Sequence, residues 1–207
     1  MKALIIANGT LPPLTIVRPL AQSAGMIVCA DGGANHALKM SIKPHVIIGD
    51  FDSIISSTKI YYSNIPQVIL PDQESTDLEK AITYCIEHLI SSVDIVGATG
   101  DRLDHTTGAM GCFKKFGDRI EMRIIDSVGV LEHIRSSISF TTQVGEKLSL
   151  IPLERCSGVT TRNLKYILTD AYLELGIREG ISNEATSHEV TISVKSGTLL
   201  LYRFHKR

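Results

Sequence analysis

Carboxylates recur in this chain directly behind short apolar runs. Residues 26–30 lead into Asp31-Gly32-Gly33-Ala34-Asn35, and residues 46–48 lead into Gly49-Asp50-Phe51-Asp52-Ser53. Residues 68–70 lead into Pro71-Asp72-Gln73-Glu74-Ser75-Thr76-Asp77. Ile95-Val96 leads into Gly97-Ala98-Thr99-Gly100-Asp101-Arg102-Leu103-Asp104-His105. If the runs are strands of an open parallel sheet, these segments leave from its carboxyl edge, where such sheets bind ligands. Like charges gathered there repel one another, and a divalent cation relieves that repulsion. Asp50 and Asp52 stand two apart, so in an extended segment both face one side, a spacing that suits Mg²⁺ with its hard oxygen ligands. The competing explanation is a turn, because Asp, Ser and Gly are common turn residues. That explanation has to be repeated independently at every exit.

The neighbouring residues admit two readings each. Thr76 followed by Glu79 fits a helix capping box, with Asp77 in the first turn complementing the helix dipole. The same helix start can also bind phosphate. Arg102 offers a planar fork for polyphosphate, or an ion pair with Asp101 or Asp104. His105 reads as a base or as a structural residue beside a helix start. Gly32-Gly33 suits a tight strand-to-helix turn. Residues 97–100 lack both the Gly-Lys-Ser/Thr ending of a P-loop and the dinucleotide fingerprint.

The elements that must carry these groups follow from periodicity. Apolar runs at 4–7, 27–30, 46–48, 68–70, 95–96 and 122–125 are continuous, as in strands buried on both faces of a parallel sheet. After Asp77, Leu78, Ala81, Ile82, Cys85, Ile86, Leu89 and Ile90 recur at helical spacing, which turns Glu79, Lys80, Thr83 and Glu87 towards water. This is the alternation of an α/β fold, an open parallel sheet flanked by helices. Beyond residue 128 the texture changes to apolar–polar alternation at 147–150 and 190–194. Ser196-Gly197 then suggests a hairpin between 190–194 and 198–204. The expected organisation is an α/β domain over 1–128 and an all-β sandwich domain over 129–207.

Composition narrows the function. The chain has 207 residues, 43% of them hydrophobic, with 21 Lys plus Arg against 22 Asp plus Glu. A net charge of −1 argues against a grip on nucleic acid, which needs a basic excess. No apolar run reaches the length of a membrane span, and the opening run is too short for a signal core. Cys29, Cys85, Cys112 and Cys156 are scattered without a CxxC pair, which points to reduced, buried thiols and a cytoplasmic protein.

Taken together and in order, the four acidic motifs resemble those of the thiamine pyrophosphokinase (thiamine diphosphokinase) family. The second half extends the resemblance through Leu148-Ser149-Leu150-Ile151-Pro152-Leu153, Asn163-Leu164-Lys165-Tyr166 and Ile181-Ser182-Asn183-Glu184. The resemblance implies an N-terminal domain binding ATP and Mg²⁺, a C-terminal β-sandwich binding thiamine, and a homodimer with active sites at the subunit interface. It implies transfer of pyrophosphate from ATP to the thiamine hydroxyl, giving thiamine diphosphate and AMP. Carried over by position, Asp50, Asp52 and Asp77 match the metal-and-phosphate acids, with Asp31 near them. Thr76, Arg102 and Asp104 match the nucleotide side, Arg102 also bearing on catalysis. Gln73, Ser182 and Asn183 match the thiamine side. The sequence departs from the family at Tyr166, where Trp is common, and at His36, where many relatives carry Arg. With no Trp in the chain, Tyr166 or another tyrosine would supply any aromatic face for thiamine. A Mg²⁺-dependent phosphohydrolase and a non-catalytic nucleotide or thiamine sensor are the rival readings.

Overall fold

The computed structural model describes residues 1–72, 74–100 and 102–205, and divides into two compact units, Met1–Ser127 and Val128–Arg207. In the first unit five helices alternate with six strands. The strands are β1 (Lys2–Ile6), β2 (Met26–Ala30), β3 (Val46–Gly49), β4 (Gln67–Ile69), β5 (Ser92–Val96) and β6 (Glu121–Ile125). The helices are α1 (Leu14–Ser23), α2 (Gly33–Lys39), α3 (Ser56–Tyr61), α4 (Asp77–Glu87) and α5 (Leu103–Phe116).

Within this unit the strands lie in the order β6-β5-β1-β2-β3-β4, and every pair is parallel. Leu4, Ile5, Ile6, Val28, Cys29, Ile47, Ile48, Ile95 and Val96 are buried, as continuous apolar runs covered on both faces require. The chain winds outward from β1 through β2, β3 and β4, then returns to β5 on the other side of β1. That reversal opens a crevice beyond the ends of β1 and β5. The run at 68–70 departs from expectation. β4 pairs with β3 at the end of the order, and Ile69 is 63% exposed, because an edge strand has no second neighbour to complete its cover.

Helix α4 forms the expected capping box. Thr76 Oγ1 accepts from Glu79 N at 3.3 Å and Glu79 Oε2 accepts from Thr76 N at 2.9 Å. Ala81, Ile82 and Cys85 are buried where the helix packs on β2 and β3. Two residues break the expected pattern. Lys80 points inward and is only 6% exposed. Leu89 is 89% exposed, because the helix has already ended in a left-handed residue at φ 57°. There Leu89 N donates to Ile86 O and Ile90 N donates to Cys85 O, the two bonds of a Schellman turn, with Ile90 buried behind them.

The second unit contains β7 (Gly129–Ile134), β8 (Ser137–Thr141), β9 (Lys147–Pro152), β10 (Cys156–Arg162), β11 (Ala171–Leu173), β12 (Gly180–Glu184), β13 (Glu189–Ser193) and β14 (Leu199–Phe204). Its antiparallel sheets run β12-β9-β14-β7 and β11-β10-β13-β8. Ile134, Leu148, Leu150, Leu199 and Leu201 from one sheet share a core with Cys156, Val159, Val190 and Ile192 from the other. This is a β-sandwich. The hairpin expected between β13 and β14 does not form, since β13 pairs with β8 and β10 while β14 pairs with β7 and β9. Both strands alternate towards one shared core, so the Ser196-Gly197 connection crosses between sheets.

Candidate active site

The crevice in the first unit is a pocket of about 620 Å³ lined by Ala7, Asn8, Gly9, Asp31, Asp50, Ser53, Thr76, Asp77, Lys80, Arg102, Asp104 and His105, among others. Each wall is a strand exit. Beyond β1 and β5 the two exits run side by side, with Gly9 N donating to Gly97 O at 2.7 Å and Thr10 N donating to Thr99 O at 3.1 Å. Helix α2 starts close against β1. A Cβ on Gly33 would stand 1.9 Å from Ile6 O, so only glycine fits there.

Asp31 follows β2 directly and is held in the left-handed region at φ 41°. It is 2% exposed; its Oδ2 accepts from Ser53 N at 3.1 Å, while Oδ1 is buried with no hydrogen-bond partner. A buried carboxylate oxygen left unsatisfied is costly unless something else meets it. Asp50 and Asp77 meet Asp31 here, each offering one oxygen, with all three oxygens within 4.8 Å of one another. Gly49 makes the convergence possible. Its φ is +154°, and a Cβ there would meet Asp31 Cβ at 2.7 Å and Asp77 Oδ1 at 3.2 Å.

Asp52 behaves differently from its expected partner. Phe51 takes φ 68° and its carbonyl accepts from Lys59 Nζ, so residues 50–52 are not extended. Asp52 is exposed, does not line the pocket, and its Oδ1 accepts from Ser53 Oγ at 2.7 Å. Its main-chain N–H donates to Asp50 Oδ1 at 3.2 Å and steadies that carboxylate. Asn35 pins the same loop, donating to Ser53 O and accepting from Ile55 N.

Asp77 and Lys80 belong to the first turns of α4. Lys80 Nζ lies 3.3 Å from Asp77 Oδ1. Burial pushes the Asp77 carboxyl above its ordinary value, the Lys80 ammonium pulls it back, and the charges of Asp31 and Asp50 add to the rise. At the start of α5, Arg102 makes a largely exposed bidentate pair with Asp104 at 3.2 and 2.5 Å, which holds the Asp104 carboxyl below its ordinary value. Of the two partners offered by sequence, Asp104 takes the guanidinium; Asp101 lies outside the described residues. Thr76 lines the pocket while serving as the cap.

The residues expected on the thiamine side divide. Gln73 lies outside the described residues. In the second unit, Ser182 is exposed at φ 57° and its N–H donates to Ser149 Oγ at 2.9 Å. Asn183 is buried and its side chain is engaged by the backbone, accepting from Tyr166 N and Glu184 N and donating to Tyr166 O. Tyr166, held by that clamp, is exposed. Sequence reasoning missed two parts of the pocket. Asn8-Gly9 reads only as a turn until the strand order is known, and Lys80 reads as a solvent residue. The signal for Lys80 was its position three residues after Asp77, on the same helix face.

Both units are similar to known proteins. The family model described as "Thiamin pyrophosphokinase, catalytic domain" matches residues 17–125, and "Thiamin pyrophosphokinase, vitamin B1 binding domain" matches residues 135–199. The chain is 30% identical to thiamin pyrophosphokinase 1 of Caenorhabditis elegans, over 84% of this chain and 76% of that one. It is 29% identical to thiamine pyrophosphokinase 1 of Arabidopsis thaliana, over 95% and 84%. The crystal structure of thiamine pyrophosphokinase from Bacillus subtilis superposes with a TM-score of 0.86 at 25% identity, covering all of both chains. With both domain models matched in order along one chain, the protein belongs to the thiamin pyrophosphokinase family.

Proposed function

We propose that the acid-lined pocket of the first unit is where this ATP-dependent pyrophosphotransferase acts, converting thiamine and ATP into thiamine diphosphate and AMP. The observation that carries this placement is the meeting of Asp31, Asp50 and Asp77, with Asp31 Oδ1 buried and unsatisfied, in one pocket at the carboxyl edge of the sheet. Residues 1–128 then serve as the ATP-binding domain and 129–207 as the thiamine-binding domain.

The donor set fits Mg²⁺, which takes hard carboxylate oxygens and fills its remaining positions with phosphate and water. Asp50 and Asp77, with Asp31 beside them, would hold it, and Asp52 supports Asp50 through its backbone. Bound there, Mg²⁺ supplies charge neutralisation on the polyphosphate and polarises the β-phosphorus. The chain's own part is alignment, which phosphoryl-group chemistry chiefly requires. The thiamine hydroxyl oxygen forms a bond to the β-phosphorus and gives up its proton to water as the bond to the α,β-bridging oxygen breaks, and AMP leaves with that electron pair. Arg102, displayed at the pocket by Asp104, offers its fork to phosphate oxygens in exchange for the carboxylate. Thr76 closes the pocket at the start of α4. On the thiamine side, Gln73 and Ser182 are the proposed contacts. Asn183 acts through the Tyr166 backbone, and the Tyr166 ring takes the place of the common Trp.

The proposal extends to assembly and location. A homodimer is supported by the exposed apolar residues Ile167, Leu175, Ile177 and Ile181 of the second unit. A cytoplasmic protein is supported by four unpaired thiols. No helix among the described residues is long and apolar enough to cross a membrane. The deciding experiment incubates the protein with ATP, Mg²⁺ and thiamine and scores AMP and thiamine diphosphate together. Equal formation of both, dependent on thiamine and lost in Asp50→Asn, is the expected result. Nucleotide hydrolysis without thiamine would make the protein a phosphohydrolase instead. Sedimentation at micromolar concentration tests the dimer.

A further inference from the structure

Lys80 is buried in a place where a lysine has no structural need to be. It lies on α4 with Ala81, Ile82 and Cys85, against β2 and β3, and is 6% exposed. Burying an ammonium is costly unless a partner offsets it. Its ammonium reaches Asp77 Oδ1 and faces the pocket that Asp31 and Asp50 also line. The cluster thus carries three carboxylates and one cation of its own.

We infer that Lys80 is a built-in counter-charge that keeps Asp31, Asp50 and Asp77 together before a divalent ion arrives and biases the site towards the metal–nucleotide complex over the bare metal. The inference rests on the reading of those three acids as the cation site. Without a metal, three carboxylate oxygens within 4.8 Å repel, and Lys80 offsets part of that repulsion. A bare divalent ion entering the same space is repelled by Lys80 and must compete with it for Asp77. An ion arriving with polyphosphate brings negative charge that re-partners the released ammonium. The same residue therefore weakens binding of the free cation and strengthens binding of the loaded nucleotide, so Lys80 is a positioning residue with a say in selectivity.

The test measures Mn²⁺ binding by electron paramagnetic resonance, with and without a non-hydrolysable ATP analogue, in wild type, Lys80→Met, Lys80→Gln and Lys80→Arg. In both neutral variants bare Mn²⁺ should bind about tenfold tighter, the scale of one unit charge acting on a divalent ion even at water-like dielectric. The Mn²⁺–nucleotide complex should bind about tenfold weaker in the same variants, because the re-partnering charge is gone. Lys80→Arg should stay within about threefold of wild type in both measurements, since it keeps the charge. Thermal melts in chelator should show the neutral variants destabilised, with most of the loss recovered in Mn²⁺. A merely structural lysine would lower stability equally with and without Mn²⁺ and leave the preference between bare and nucleotide-bound metal unchanged. That outcome in either folded neutral variant overturns the inference. If wild type and Asp50→Asn alike bind no Mn²⁺ in any condition, the cation site itself fails, a result distinct from equal binding in wild type and Lys80 variants.

Discussion

Gly49→Ala tests the geometry of the acid cluster most directly. The added Cβ would stand 2.7 Å from Asp31 Cβ, 3.2 Å from Asp31 Cα and 3.2 Å from Asp77 Oδ1. The first distance is far inside van der Waals contact. Asp31 cannot yield by rotation alone, because its backbone N–H donates to Ile48 O at 2.7 Å and its Oδ2 accepts from Ser53 N. Alanine is also strained at φ +154°. Backbone strain of about 1–2 kcal/mol and overpacking of about 1–3 kcal/mol put the expected loss at roughly 2–5 kcal/mol in urea unfolding. Pushing Asp31 away from Asp50 and Asp77 also lowers activity, because displacing a positioned group by about 1 Å lowers rates about 100-fold. Gly145→Ala is the control. Its φ is +89° with nothing within 4 Å of a new Cβ, so it isolates the backbone strain, about 1 kcal/mol, and leaves turnover unchanged. The assay is AMP release at saturating ATP and thiamine beside urea unfolding of each variant. Turnover of Gly49→Ala within twofold of wild type would refute the claim that Gly49 holds open the space in which the acids meet.

Three further outcomes follow from the same structure. Asp50→Asn should lower turnover by about 100-fold or more with the melting temperature not lowered, while Asp52→Asn, exposed outside the pocket, should cost about tenfold or less; equal losses would place Asp52 in the cluster. Leu89→Gly should stabilise the protein by about 0.5–1 kcal/mol, because the left-handed turn at φ 57° penalises a side chain that is almost wholly in solvent; lower stability in urea would contradict this. Burial pushes the thiols of Cys85 and Cys112 to about 12 and Cys156 to about 11, and raises Cys29 strongly. Since the thiolate is the reactive form, an aromatic disulfide reagent at pH 8 should modify none of the four in the native protein and all four in guanidinium; any fast native reaction would show a thiol that is open to solvent.

Much of this protein is written in patterns a few residues long. The capping box of Thr76 and Glu79 depends on a spacing of three and formed as expected. The continuous runs of β1, β2, β3 and β5 announced a parallel sheet, and the placement of carboxylates behind them announced its carboxyl edge. Local rules of this kind work because sterics and hydrogen bonding within one turn or one strand act before distant contacts do. The end of α4 shows their limit, since the apolar period ran on through Leu89 while the backbone had already turned at that residue.

What chain order alone could not decide is which elements became neighbours. Strand order placed Asn8-Gly9 beside Gly97–Thr99, some ninety residues away, and made a pocket wall of what reads as a turn. The sandwich core drew β13 and β14 into different sheets, because each strand buries one face and the two faces meet across the core rather than along a shared edge. Lys80 went inward and Asp52 outward for the same reason. A charge settles according to the field of all the groups packed around it, and that field exists only once Asp31, Asp50 and Asp77 have been brought together from three separate crossovers.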